Sequence, residues 1–171
     1  MAVKNLNDLY FHELKDLYNA DKQAKAIHKR LLKAATNSKL RTALQNSIDG
    51  IDDGMEMISD ICKSHNKKAT GMTCKGMRGL VEEAKAHVLD EKFGDQDAKD
   101  ASIIAQSQRM THYAIAGYGT AAAFAESLGY SKDVKMLNKC LKKTYGGDKK
   151  MTKLATSGIN WAAKFQSKKS K

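Results

Sequence analysis

Not one proline interrupts this chain of 171 residues, and its apolar side chains recur every three or four positions through long unbroken stretches. A proline inside a helix removes a backbone hydrogen bond and clashes with the preceding turn, at a cost of about 3 kcal/mol. Its absence leaves room for long helices. Alanine, leucine and lysine, which give up little on entering a helix, are plentiful. Alternating β-branched runs that could build a sheet are missing. The chain is therefore expected to be all-α, and its length suits one domain with a single core.

The periodicity predicts a first helix over about 6–35, on Leu6, Leu9, Tyr10, Leu14, Leu17, Ala24, Ile27 and Leu31. Asn5 or Asn7 caps it, and Thr36-Asn37-Ser38 reads as a turn with Ser38 capping the next helix. A second helix spans about 39–64. Gly50 and Gly54 share one of its faces, which suggests close approach of another helix. After a polar loop over 65–71, a shorter helix covers about 73–89. A long helix then runs from about Asp97 to Gly129, the glycine being the expected residue just past a helix end. Its stripe passes through Ile104, Gln108, Thr111, His112, Ile115 and Tyr118, making Thr111 and His112 interior positions. The last helix starts after a Ser131 cap, with Gly146-Gly147 as a candidate kink. Ile159, Trp161 and Phe165 continue it or form a sixth piece. Four long helices and one short one describe an elongated four-helix bundle with a crossover helix.

Lys and Arg total 30 against 19 acidic residues, a formal charge of +11. The excess lies across 132–153 and at Lys164, Lys168, Lys169 and Lys171. With no reading motif and few aromatics beside it, this charge supports nonspecific attraction to polyanions at most; a solvated surface is the plainer explanation. Cys62, Cys74 and Cys140 are an odd number without a CxxC pair, as expected of reduced, buried thiols in a cytoplasmic protein, with a Cys62–Cys74 bridge as the alternative. No secretory signal and no apolar stretch of about 20 residues stands out. Catalytic triads, phosphate loops and zinc patterns are absent. The methionines are read as core fillers and Tyr10, Tyr18, Tyr113 and Tyr118 as buried hydroxyls in need of partners. Glu82 and Glu83, adjacent on the short helix, point too far apart to chelate one ion.

Three blocks carry a family resemblance. LYFHELKDLYNADKQ, residues 9–23, is similar to the "LKDxYxAEKQ" opening of the YciE/YciF stress-protein family. CKGMRGLVEEA, residues 74–84, resembles that family's "CxAMxGLIEEA". The segment 100–130, DASIIAQSQRMTHYAIAGYGTAAAFAESLGY, matches "DAALIAAAQRVEHYEIAxYGT…A..LGY" over most of its length. The blocks occur in one order and cover almost the whole chain. The resemblance implies a ferritin-like four-helix bundle with a short additional crossover helix over residues 1–165; the lysine-rich end over 166–171 is itself read as a basic, disordered tail. It also implies a homodimer or higher homo-oligomer and a core able to hold two iron or manganese ions.

Such a centre needs about six carboxylates and histidines converging from different helices. The resemblance places one ligand at Asp21, where the family has glutamate. Elsewhere this chain departs. The family's "HLEET" is replaced by Ser47 through Ile51, with Ser47 and Gly50 at the ligand positions and Asp49 on the neighbouring face. "EHYE" becomes Thr111, His112, Tyr113 and Ala114, and "LxEE" becomes Leu141, Lys142, Lys143 and Thr144. Asp21 and His112 remain as candidate metal ligands, with His28 able to share the Asp21 face; a hydrogen-bonded core histidine explains His112 as well. Lys142 or Lys143, if turned inward, could neutralise Asp21 in place of a metal. The expected function is a non-catalytic, metal-free family member, without cofactor, acting in stress physiology through self-association or as a structural component. The alternatives are a residual iron or manganese protein, ferroxidase-like activity included, and a polyanion binder using the lysine-rich last helix.

Overall fold

The structure is a computed structural model that describes residues 3–164. Phe165 and the expected tail over 166–171 lie outside the described residues. Four long helices make the bundle: α1 (Leu6–Ala34), α2 (Ser38–Ser64), α4 (Gln96–Ser127) and α5 (Ser131–Leu154). The connection from α2 to α4 contains α3 (Lys75–Ala84), which widens into one π-helical turn over Lys85–Leu89. A second π turn, Ala155–Ile159, joins α5 to the short α6 (Asn160–Lys164). No strand occurs among the described residues.

Side-chain pairs fix the direction of each helix. Asp100, at the start of α4, bonds to Thr36 and Asn37 at the end of α1. Tyr130, just past α4, bonds to Asn7 at the start of α1. Thus α4 runs opposite to α1, and α2 and α5 each return beside their sequence neighbour. The order is up-down-down-up with one long crossover, the ferritin-like arrangement. α1 packs on α2 and α4, and α5 packs on α4 and α2.

The helix ends follow local chemistry. Asn5 Oδ1 accepts the Asp8 amide at 2.9 Å, and Gly129 takes φ +75° just past α4, both as expected. Asn37, not Ser38, caps α2, accepting from the Lys39 and Leu40 amides at 3.0 and 3.1 Å. Ser131 opens α5 without serving as its cap, and the Tyr130 side chain supplies none. α5 runs unbroken as a helix through Gly146 and Gly147.

The core divides along the bundle into two apolar clusters. One gathers Leu31, Leu40, Leu44, Met77, Ile103 and Met110; the other gathers Tyr10, Leu14, Ile58, Ile61, Ala121 and Leu137. Gly117 of α4 serves this internal packing: a Cβ on it would meet Leu17 of α1 at 2.8 Å. Met77, Met110 and Met151 are buried within the core, as fillers. Cys62, Cys74 and Cys140 are all buried and free, so the alternative Cys62–Cys74 bridge is not formed.

Candidate functional site

Between the two clusters the bundle opens into a cleft of about 670 Å³. α2 contributes Lys39 through Asp53 to one side and α5 contributes Cys140 through Leu154 to the other. α1 supplies Asp21, Ala24 and His28, and α4 supplies Met110, Thr111, Ala114 and Tyr118. Small side chains create the space. A Cβ added to Gly50, Gly146 or Gly147 would meet nothing within 4 Å. Gly54, one turn beyond Gly50, is different: its Cβ would lie 2.3 Å from the Tyr118 hydroxyl and 3.4 Å from Asp21. Of the two glycines expected to admit another helix, Gly54 does so and Gly50 faces open space.

Asp21 lies within the bundle, 2% exposed, and its Oδ2 accepts a 2.6 Å hydrogen bond from the Tyr118 hydroxyl. Burial pushes its carboxyl up to about 7, and the Tyr118 bond only partly opposes this. The same burial, with the neighbouring Asp21 charge, drives the Tyr118 hydroxyl well up. His28, two turns further along α1, is buried on the same cleft wall. Its Nδ1 lies 2.8 Å from the Ala24 carbonyl, so that nitrogen donates, and burial disfavours its protonation. Asp21 and His28 therefore share a face, as their spacing suggested.

His112 is not interior. Its side chain is 63% exposed and its Nε2 sits 3.3 Å from Asp148 on α5. Asp148 also accepts from Gln108 at 2.9 Å. The buried face of α4 keeps Ile104 and Tyr118 of the expected stripe but extends from them through Ile103, Ser107, Met110, Gly117 and Ala121, away from His112. Asp21 and His112 thus do not share the cleft, since His112 is not part of its lining. Neither lysine neutralises Asp21. Lys142 is exposed, and Lys143 Nζ pairs with Asp53 at 2.9 Å on the surface.

The six positions matched to family ligands, Ser47, Gly50, Thr111, Ala114, Lys143 and Thr144, all line the cleft. Its donor set does not fit two divalent ions. The hydroxyls of Ser47, Thr111 and Thr144 are each committed to the carbonyl four residues back on their own helix. Asp49 pairs with Gln45 and Asp53 with Lys143, both at the exposed rim. Among the described residues no group of three His, Cys, Asp or Glu side chains is placed to hold a metal ion. Glu82 and Glu83 are exposed on α3, remote from the cleft lining.

Other polar groups escaped the sequence reading. Asp100, fully buried, accepts from the Thr36 amide, the Thr36 hydroxyl and the Asn37 amide at 2.7–2.9 Å. Asp133 accepts from the Tyr10 hydroxyl at 3.0 Å and pairs with His65 Nε2 at 2.8 Å. Tyr113 donates to Asp16 at 3.0 Å and touches the Cys74 thiol at 2.9 Å. Tyr10, Tyr113 and Tyr118 thus each find an aspartate, as expected of buried hydroxyls, whereas Tyr18 is half-buried against the second apolar cluster.

This is an all-α, ferritin-like bundle with a cleft at its centre. The family model described as a domain of unknown function, DUF892, matches residues 5–164, and the chain belongs to that family. It is 36% identical to Protein YciF of Escherichia coli K12 over 161 residues, 94% of this chain and 96% of that protein. The crystal structure of the E. coli stress protein YciF superposes with a TM-score of 0.86, covering 92% of this chain and 99% of the other at 36% identity. YcfI from Rhodopseudomonas palustris, described as a candidate structural protein, superposes with a TM-score of 0.83 at 29% identity, over 88% and 94% of the two chains. No helix among the described residues is long and apolar enough to cross a membrane.

Proposed function

We propose that this chain is a non-catalytic, metal-free member of the YciF-like family, associated with stress and acting through self-association or as a structural component. One observation carries the proposal: the positions that resemble family metal ligands gather around a single cleft, and Asp21 is the one buried carboxyl among its lining residues. Oxygen-loving cations need several converging carboxylates, and two of them need more. The descriptions of the E. coli and R. palustris relatives, a stress protein and a candidate structural protein, agree with a role that is not enzymatic.

Metal analysis of protein purified without chelators tests the proposal, alongside sedimentation at several concentrations. The expected result is a sub-stoichiometric metal content and a homodimer or larger assembly. Stoichiometric iron or manganese that disappears in Asp21→Ala would overturn the metal-free reading in favour of a residual metal site.

One feature favours a second reading. Lys132, Lys135, Lys139, Lys142, Lys149 and Lys153 recur at spacings of three, four and seven along the exposed side of α5. They form one basic stripe with which a polyanion could align. Retention on DNA should then fall steeply with salt, log K dropping by roughly 0.9 per phosphate neutralised for each decade of salt. Charge reversal at Lys135 and Lys142 should flatten that slope; a slope left unchanged would exclude the stripe.

A further inference from the structure

Small-molecule sites are concave, mostly apolar and about 300–1,000 Å³ in volume, with a few placed polar groups. The central cleft, at about 670 Å³, has that character. Ala24, Ala43, Met110, Ala114 and Met151 give it apolar walls, and Asp21 stands on its floor. No described residue forms an ion pair with Asp21, whose one hydrogen bond on that face comes from a neutral phenol. The nearest basic groups do not supply the charge: Lys143 is held by Asp53, and His28 donates to a backbone carbonyl and stays neutral. Lys39 and Lys150, like Asp49 and Asp53, are exposed lining residues, where water screens both signs. A buried carboxylate without a countercharge is costly, and a cation delivered by a ligand relieves that cost. An anionic head reaching the floor would meet Asp21 and be repelled; a neutral one would leave the charge unanswered.

We propose that the cleft binds a small organic cation, a primary ammonium on a short unbranched apolar chain. Its nitrogen sits against Asp21 and its chain against Ala24, Ala43, Met110, Ala114 and Met151. This inference rests on the metal-free reading of the same cleft.

Calorimetric titration of the full chain at about pH 7.5 tests it, using hexylammonium with hexanol and hexanoate as neutral and anionic counterparts. The metal content of the same batch is measured in parallel. Hexylammonium should saturate one site with a dissociation constant on the order of 1 mM, the scale expected for so few atoms. Hexanol and hexanoate should bind at least about tenfold more weakly, and Asp21→Asn should weaken the amine by a similar factor. Gly50→Leu, at a position with open space around it, should keep the helical spectrum and block the amine. Equal affinity for hexanol, undiminished affinity in Asp21→Asn, or undiminished affinity in a folded Gly50→Leu protein would each overturn the proposal. Metal-free protein that binds no amine would sink this inference alone. Protein loaded with iron or manganese that binds none would sink the metal-free reading with it.

Discussion

Asp21 shows how one buried side chain couples the interior to solution. Its carboxyl rises from 3.8 to about 7 because burial disfavours the charged form. Between those values the folded protein keeps a proton that the unfolded chain releases. Stability from this group is therefore complete below about pH 4, declines as pH rises towards 7, and is level above that. A tenfold change in proton affinity corresponds to about 1.4 kcal/mol, which sets a ceiling of roughly 4 kcal/mol. Asp21→Asn keeps an acceptor for Tyr118 and removes the titration. It should exceed the parent in urea stability by roughly 1–3 kcal/mol at pH 8 and much less at pH 5. Parallel curves for the two proteins across that range would contradict this account. Residues of this kind were unevenly legible. Asp21 stood out by family resemblance, whereas Asp100 looked like any acid in a first turn. Its role depends on Thr36 and Asn37, far away in sequence, and no local pattern reports them.

At the level of helices, periodicity placed α1 and α2 well because each turns one clear stripe inward. On α4 it placed Ile104 and Tyr118 inside correctly but also put the exposed His112 there. α4 touches α1, α3, α5 and α6, so apolar and small residues surround much of it and its phase is weakly marked. The π turns at Lys85–Leu89 and Ala155–Ile159 left no sequence signal either, since a π turn adds a residue without changing composition. The two glycines of α2 offer a contrast that measurement can resolve. Gly50→Ala should be neutral or stabilising by about 0.5–1 kcal/mol, because alanine is the better helix former and nothing obstructs its methyl group. Gly54→Ala should cost roughly 1–3 kcal/mol, because the methyl displaces the Tyr118 hydroxyl from Asp21. In a Tyr118→Phe background most of that extra cost should vanish. Denaturant midpoints of the four proteins decide the matter, and a Gly54→Ala penalty unchanged by Tyr118→Phe would exclude the hydroxyl as its source.

For the molecule as a whole, the up-down-down-up order brings four distant segments to one cleft, a convergence that helix patterns imply and only the fold displays. The positions that the resemblance assigns to ligands all come to this cleft; the open space among them has no sequence signal, since a void is a property of several chains of atoms at once. Rebuilding should therefore be feasible in one step. A protein carrying Ser47→His, Gly50→Glu, Thr111→Glu, Ala114→Glu and Lys143→Glu should bind about two iron or manganese ions by elemental analysis. A folded variant that stays metal-free would mean that these side chains do not converge. The tyrosine–aspartate pairs have a different consequence. Tyr10, Tyr113 and Tyr118 each point a phenol at a carboxyl, and burial with the adjacent acid drives all three upward. In alkali, therefore, the phenols of Tyr10, Tyr113 and Tyr118 should add nothing to the ultraviolet absorbance of phenolate until the helices come apart.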